Sequence, residues 1–189
     1  MNEAIQTWTE SSPCEELDEY CKKGLLKGLS FKAVDKQGNI VGVSISGATS
    51  LNENADKILL EEADHCKNPK FQKILYIIAK REEGAKLWER FPQDKEHVEV
   101  FVTATDPNWR KRGIMNKLIA ETERQCKQKN LRILRLDTSS AYSAMSAERL
   151  GFICVYKAFY KDLKKDGQPL IIPKEPHVAD SVYIKTLYD

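Results

Sequence analysis

The 189-residue chain has no long apolar run: its longest, Ile74 to Ala79, falls far short of the roughly 20 residues a membrane-spanning helix needs. It is poor in metal-ligand patterns. Its five cysteines (Cys14, Cys21, Cys66, Cys126, Cys154) form no CxxC pair, and there are only three histidines. The one adjacent couple of ligand types, His65-Cys66, has no companion pair spaced to complete a tetrahedron, so no metal is expected. Scattered cysteines, odd in number, read as reduced thiols of a cytoplasmic protein. Charge of one sign is also lacking: 30 basic against 28 acidic residues leave +2, too little to argue for nucleic acid. The N-terminus is acidic and polar, with no signal-peptide pattern, and no repeat or low-complexity tract interrupts the chain. A hydrophobic content of 41% over this length supports one domain, 1–189, with a core of its own. A monomer without nucleic-acid or membrane partners is expected.

Periodicity supplies the elements. Cys14, Leu17, Cys21 and Leu25 recur at helical spacing after Ser12-Pro13, predicting a helix over 14–27. Two alternating runs, Ser30 to Asp35 and Ile40 to Gly47, flank Lys36-Gln37-Gly38-Asn39 and predict a β-hairpin. Helices are predicted over Asn52–Cys66 and Pro69–Phe91. A strand with Val98, Val100 and Val102 on one face comes next, then a turn and a helix to about Lys129 that buries Ile114, Leu118, Ile119 and Thr122. Leu131–Asp137 reads as a strand, Ala141–Leu150 as a helix stopped by Gly151, and Phe152–Tyr160 as a strand. A Lys- and Pro-rich loop, Lys161 to Pro176, precedes a last strand over Ser181–Leu187. This order implies an α/β protein built on a mixed sheet.

The segment Thr105-Asp106-Pro107-Asn108-Trp109-Arg110-Lys111-Arg112-Gly113-Ile114-Met115 lies between a strand and a helix. The first amides of a helix have no intrahelical acceptor and carry partial positive charge, so an anion is stabilised there. Arg110, Lys111 and Arg112 add formal charge, and Gly113 permits close approach of the backbone. Strand, basic turn and helix start together form a diphosphate-binding device and point to a nucleotide-tailed cofactor. The competing reading is a solvated basic helix start after a proline turn.

Arg110-Lys111-Arg112-Gly113-Ile114-Met115 resembles the acyl-CoA signature (Arg/Gln-x-x-Gly-x-Gly/Ala) of the GNAT superfamily of N-acetyltransferases. Glu148-Arg149-Leu150-Gly151-Phe152 resembles that superfamily's later helix-to-strand junction. More narrowly, the chain resembles the insect arylalkylamine (dopamine-type) N-acetyltransferases along nearly its whole length. The resemblance runs through Ser30 to Val34 with Ile40 to Val43, His65 to Leu75, Ser139 to Ala144, and Pro176-His177-Val178. Two departures stand out: Met115 occupies a position where Gly or Ala is usual, and the superfamily opens with a strand and a helix ahead of Met1. Either the sequence is truncated ahead of Met1, or the resemblance implies a GNAT fold that lacks its first strand and helix, in which case an exposed sheet edge and an open acceptor site are expected.

The resemblance implies acetyl-CoA as co-substrate. Residues Arg110, Lys111, Arg112, Gly113, Ile114 and Met115 would hold the diphosphate, and Lys111, Arg112 or Lys117 the 3′-phosphate. The pantetheine arm would lie along Thr103, Ala104 and Thr105 as an added strand, and Ser139 and Tyr142 would complete the cofactor contacts. Acetyl transfer requires an amine stripped of its proton, a stabilised thioester oxygen and a departing thiolate. Aligned on the family, Asn2-Glu3-Ala4-Ile5 makes Glu3 the candidate base. Ser139 and Ser143 match two serines proposed as catalytic, though helix capping explains Ser139 and Ser140 equally. Superfamily members often carry a general-acid tyrosine four positions before the junction glycine; that position is Ala147 here, so an acid from that place is excluded, and Ser143, Tyr142 or unassisted departure of the thiolate must take over.

Trp8, Phe31, Tyr76, Trp88 and Phe91 are aromatic candidates for an acceptor pocket or, equally, for the core. His177 either orients a polar group or sits in a surface loop. The expected activity is acetyl transfer to an arylalkylamine by direct attack, since no cysteine is placed as a nucleophile. The alternatives are another amine such as a polyamine, for which Glu82, Glu83 and Glu89 are available, or a CoA-binding module without turnover.

Overall fold

The computed structural model of the protein describes Thr9 and residues 12 to 189; Glu3 and Trp8 lie outside them. In chain order the elements are α1 (Glu15–Lys22), a 3-10 turn (Leu25–Lys27), β1 (Phe31–Val34), β2 (Ile40–Ser50), α2 (Ala55–His65), α3 (Pro69–Ala85) and α4 (Leu87–Arg90). There follow β3 (Glu96–Thr105), a 3-10 turn (Pro107–Trp109), α5 (Ile114–Gln128), β4 (Ile133–Thr138), α6 (Ala141–Arg149), β5 (Ile153–Phe159), β6 (Lys164–Lys165), β7 (Gln168–Pro169) and β8 (Ala179–Thr186). The main sheet has the order β1-β2-β3-β4-β8-β5 and mixes an antiparallel β1-β2-β3 meander with a parallel β3-β4 pair. This is the expected mixed α/β architecture, with β1 at one sheet edge among the described residues.

The chain forms two compact units, and the division between them runs through β4 and β8. One comprises Cys21–Ser50, Glu96–Leu136 and Ile184–Asp189. Its hairpin turn is fixed by Asp35, whose Oδ1 accepts the Gln37 and Asn39 amides at 2.9 Å each. The Asn39 side-chain bond, together with these amides, holds the Asp35 carboxyl below its ordinary pKa. Val98 and Val100 of β3 are buried with Leu118, Ile119, Thr122 and Cys126 of α5, whereas Ile114, expected among them, is half-buried. Helix α5 packs on β1, β2 and β3, and it comes very close to β2 at Gly42. A Cβ there would lie 2.7 Å from Ile114 Cγ2, so only glycine fits this contact without a shift.

The second unit comprises Met1–Tyr20, Leu51–Lys95 and Asp137–Tyr183. Its core joins Cys14, Ala63 and the apolar face of α3 to Tyr160, Leu163, Leu170 and Ile171. Asn68 caps α3, accepting the Lys70 and Phe71 amides at 3.0 and 3.1 Å, and Pro69 follows at the first helical position.

Four boundaries differ from the periodicity. The helix predicted over Pro69–Phe91 is broken at Lys86, which adopts φ 43° and separates α3 from α4. The helix predicted over 14–27 ends at Lys22 and resumes only as the 3-10 turn, because the glycines at 24 and 28 bracket that stretch. The Lys- and Pro-rich loop contains the small β6–β7 hairpin, turned by Asp166 and Gly167, both with positive φ. Phe152 precedes β5, where it is buried.

Candidate active site

In the first unit, β3 feeds the candidate anion-binding turn. It pairs in parallel with β4, Val98 with Leu134, Glu99 with Arg135 and Val100 with Leu136. Beyond Val100, β3 keeps its β2 partners through Thr105. The Asp106 amide donates to Val41 O at 3.0 Å, toward β2. Because successive strand residues direct their polar groups to opposite sides, Thr105 and Thr103 direct theirs away from β2. This edge suits an extended, amide-bearing ligand.

The turn is built locally. Asp106 Oδ1 accepts the Asn108 amide at 2.8 Å, and the Trp109 amide returns to Asp106 O at 2.8 Å, closing a 3-10 turn on Pro107. Lys111 and Gly113 both take left-handed φ, 61° and 71°. The lysine pays for that conformation, the glycine hardly at all. Helix α5 begins directly after Gly113, and its first internal bond runs from the Lys117 amide to Gly113 O at 3.1 Å. The amides before it belong to the class that helix geometry leaves without an intrahelical acceptor. Arg110, Lys111, Gly113 and Lys117 are exposed. Arg112 folds back: its guanidinium carbon lies 4.6 Å from the Trp109 ring centre, and Nη2 donates to Asn108 O at 3.3 Å. Of the expected phosphate-binding cations, Arg112 therefore braces the turn. Met115 is half-buried at the second helical position, where the backbone amide rather than the side chain serves an anion.

In the second unit, the serine segment opens α6. Ser140, not Ser139, is the N-cap: its backbone is extended and its Oγ accepts the Ser143 amide at 3.1 Å. Ser143 Oγ in turn donates to Ser140 O at 3.0 Å and lies 2.9 Å from Ser140 Oγ. The capping reading thus holds for Ser140 and draws in Ser143, whose hydroxyl proton is committed to the cap. Ser139 offers its carbonyl to the Tyr160 hydroxyl at 2.8 Å. His177 is half-buried, and its Nδ1 accepts the Ala141 amide at 3.3 Å while its ring meets Tyr142 edge-on at 5.4 Å. It orients the first turn of α6 and is not a free surface histidine. Tyr142 itself is 67% exposed. Ala147 is fully buried, so nothing at that position can act as an acid.

Sequence reasoning passed over a charged cluster beneath this segment. Arg81 grips Asp180 through Nε and Nη2 at 2.6 and 2.7 Å and reaches Asp137 through Nη1 at 3.0 Å. All three side chains are at most 7% exposed. The signal was present in α3, where Ile74, Ile77, Ile78, Arg81 and Ala85 share one buried helical stripe, placing an arginine in core phase.

Burial of Cys126 pushes its thiol up to about 11. Among the described residues no His/Cys/Asp/Glu group is suited to a metal, and no helix is long and apolar enough to cross a membrane.

A basic turn that ends in a glycine leads from β3 directly into α5, the arrangement expected of an anion-binding loop. The acetyltransferase (GNAT) family model matches residues 1–152, and the chain belongs to that family, whose enzymes use acetyl-CoA as co-substrate. Similar solved structures include arylalkylamine N-acetyltransferase 2 from Aedes aegypti (22% identity, 99% of this chain, 86% of that chain, TM-score 0.89). A second is the polyamine N-acetyltransferase of Drosophila melanogaster, an enzyme that forms N-acetylagmatine (23% identity, 97% and 87%, TM-score 0.85). A third is mosquito arylalkylamine N-acetyltransferase like 5b (22% identity, 97% and 86%, TM-score 0.85). These likenesses establish the fold, and the family match establishes an acetyltransferase.

Proposed function

We propose that the protein transfers acetyl from acetyl-CoA to the primary amine of an arylalkylamine such as dopamine, tyramine, octopamine, serotonin or tryptamine. The observation that carries this reading is the Arg110–Met115 turn, with its two left-handed residues, leading from β3 into α5. Backbone amides from Lys111 to Met115 hold the diphosphate, aided by Arg110 and Lys117. Thr103, Ala104 and Thr105 provide the edge for the pantetheine amides. Ser139 and Tyr142 are the further cofactor contacts that the family resemblance supplies. Single-domain behaviour over 1–189, a monomeric state and cytoplasmic location belong to the same reading.

The reaction is a direct displacement. The ammonium gives its proton to a base, for which Glu3 is the candidate by family alignment; it lies outside the described residues. The free amine attacks the thioester carbon, the carbon–sulfur bond breaks, and the products are the N-acetylamine and CoA thiol. A thiol of pKa near 8.5 is a tolerable leaving group without help. That suits a site in which Ser143 already spends its proton on a cap and Ala147 has none to give.

A polyamine acceptor is the alternative, since the helical insertion supplies Glu82, Glu83 and Glu89. Glu83 lies against Lys80 and Glu89 within 3.7 Å of Lys86, so two of these carboxylates come with a cation attached. That favours the aromatic reading. A thiol-release assay with acetyl-CoA and a panel of dopamine, tyramine, serotonin, tryptamine, spermidine and agmatine separates the cases. Release with the aromatic amines is expected. Release only with spermidine or agmatine would transfer the assignment to the polyamine class, and CoA binding without release from any amine would make the protein a non-catalytic binder.

A further inference from the structure

We propose that Arg81, Asp180 and Tyr160 act as a positioning relay for acetyl transfer, fixing the carbonyl of Ser139 and with it the first turn of α6. This rests on the reading of Ser139–Ser143 as part of the site. The geometry is continuous. Tyr160 Oη donates to Ser139 O at 2.8 Å and lies 3.4 Å from Asp180 Oδ1. Asp180 is held by two bonds from Arg81, and the remaining Arg81 arm takes Asp137, two residues before Ser139 on the same strand.

The serine segment is thereby held at two points, once through Asp137 and once through its own carbonyl. The carriers are independent elements: α3 for Arg81, β8 for Asp180, and the end of β5 for Tyr160, whose amide is itself bonded to Val178 O at 3.1 Å. Tyr160 is 3% exposed, and burial, followed by the charge of Asp180, raises its pKa, so the hydroxyl stays a donor. A three-pronged guanidinium is the group for this task, because a lysine cannot bind two oxygens of one carboxylate and a third elsewhere in a fixed plane. A buried ion cluster contributes little net stability compared with an apolar packing of equal volume, whereas it does fix one conformation. Reacting groups misplaced by about 1 Å cost up to about a hundredfold in rate, so a fixed Ser139 turn has kinetic value.

Tyr160→Phe removes one hydroxyl and leaves the Arg81 cluster in place. With the most active amine, kcat is expected to fall about tenfold while KM for acetyl-CoA stays within about twofold. Hydrogen exchange at the start of α6 should quicken, and Arg81→Lys should lie between Tyr160→Phe and wild type in both readouts. A kcat equal to wild type in Tyr160→Phe overturns the proposal even if its melting temperature drops, because the role is then structural only. If wild type itself releases no thiol with any amine, the functional reading fails and exchange alone decides. Unchanged exchange at Ser139–Ser143 then sinks the relay, and faster exchange upholds only the fixing of the α6 turn by Tyr160 while the role in acetyl transfer falls with the functional reading.

Discussion

Gly42→Ala tests whether the close seating of α5 on β2 sets the anion-binding turn. The added Cβ would stand 2.7 Å from Ile114 Cγ2, 3.4 Å from Ala104 O and 3.5 Å from Leu118 Cδ1. Carbon atoms prefer about 3.5–4.0 Å, so the Ile114 methyl must retreat by about 1 Å. It is the branch nearest the backbone of a β-branched residue with little χ1 freedom, so the helix start moves with it. Overpacking of this kind costs about 1–3 kcal/mol, or roughly 2–12 °C of melting temperature for a chain of this size. Because Ile114 is the first residue of α5, the amides that follow Gly113 move too. Coenzyme A affinity is expected to drop about tenfold, equivalent to about 1.4 kcal/mol. Calorimetric titration of coenzyme A and thermal denaturation of Gly42→Ala, Ile114→Ala and the double variant form a cycle. Ile114→Ala deletes the clashing methyl, so the double variant should regain about 1–2 kcal/mol relative to additivity. Wild-type affinity in Gly42→Ala, or a coupling energy of zero, would refute the assignment of this contact as the seat of the turn.

Arg81→Leu should destabilise the fold by about 3–5 kcal/mol in urea unfolding, because it strands Asp137 and Asp180 together below the surface; pairing it with Asp180→Leu should recover much of the loss. Ser140→Ala removes the α6 cap and should cost about 0.5–2 kcal/mol in the same measurement, with faster exchange at the Ser143 amide. Thr138 Oγ1 is buried without a partner among the described residues, so Thr138→Val should leave stability unchanged or raise it by about 1 kcal/mol. Burial raises the Cys126 pKa to about 11, above its unfolded value, so the folded state binds the extra proton. That stability is complete below about pH 9 and fades through pH 11, and wild type should lose about 2–3 kcal/mol more than Cys126→Ala over this window in denaturant titrations.

The hairpin, the β3–turn–α5 device and the order of the elements were legible because each is written in contiguous residues. Alternation flanks Gly38-Asn39, and a basic run with one glycine lies between a strand and an amphipathic helix. What escaped depends on distance or on backbone conformation. Arg81 meets Asp180 across 99 positions and Asp137 across 56, and no local pattern announces such a partner. Lys86 and Lys111 occupy left-handed conformations that glycine or asparagine would have signalled. The cap was placed correctly to within one residue. Only tertiary contacts show that Ser143 shares that cap and that His177, 36 residues away, closes the same helix end.

These features divide the labour in a way that bears on two departures from the family pattern, at positions 115 and 147. On the proposed function the diphosphate cradle is a backbone device, in which left-handed Lys111 and Gly113 aim amides and α5 supplies the dipole. A side chain at position 115 matters only if it enters the path of those amides, and Met115 is half-buried. Glycine or alanine is therefore a convenience there and no requirement of the chemistry. Likewise, replacing a general-acid tyrosine by buried Ala147 removes a proton donor from a step that needs one least, since the thiolate leaves near its own pKa. For the proposed arylalkylamine acceptor the demanding step is deprotonation of the amine, because an arylalkylammonium holds its proton far above neutrality. On that reading the chemistry depends on the base and on the rigidity of the Ser139–Ser143 turn. A chain that keeps those two functions can lose the acid and retain the reaction.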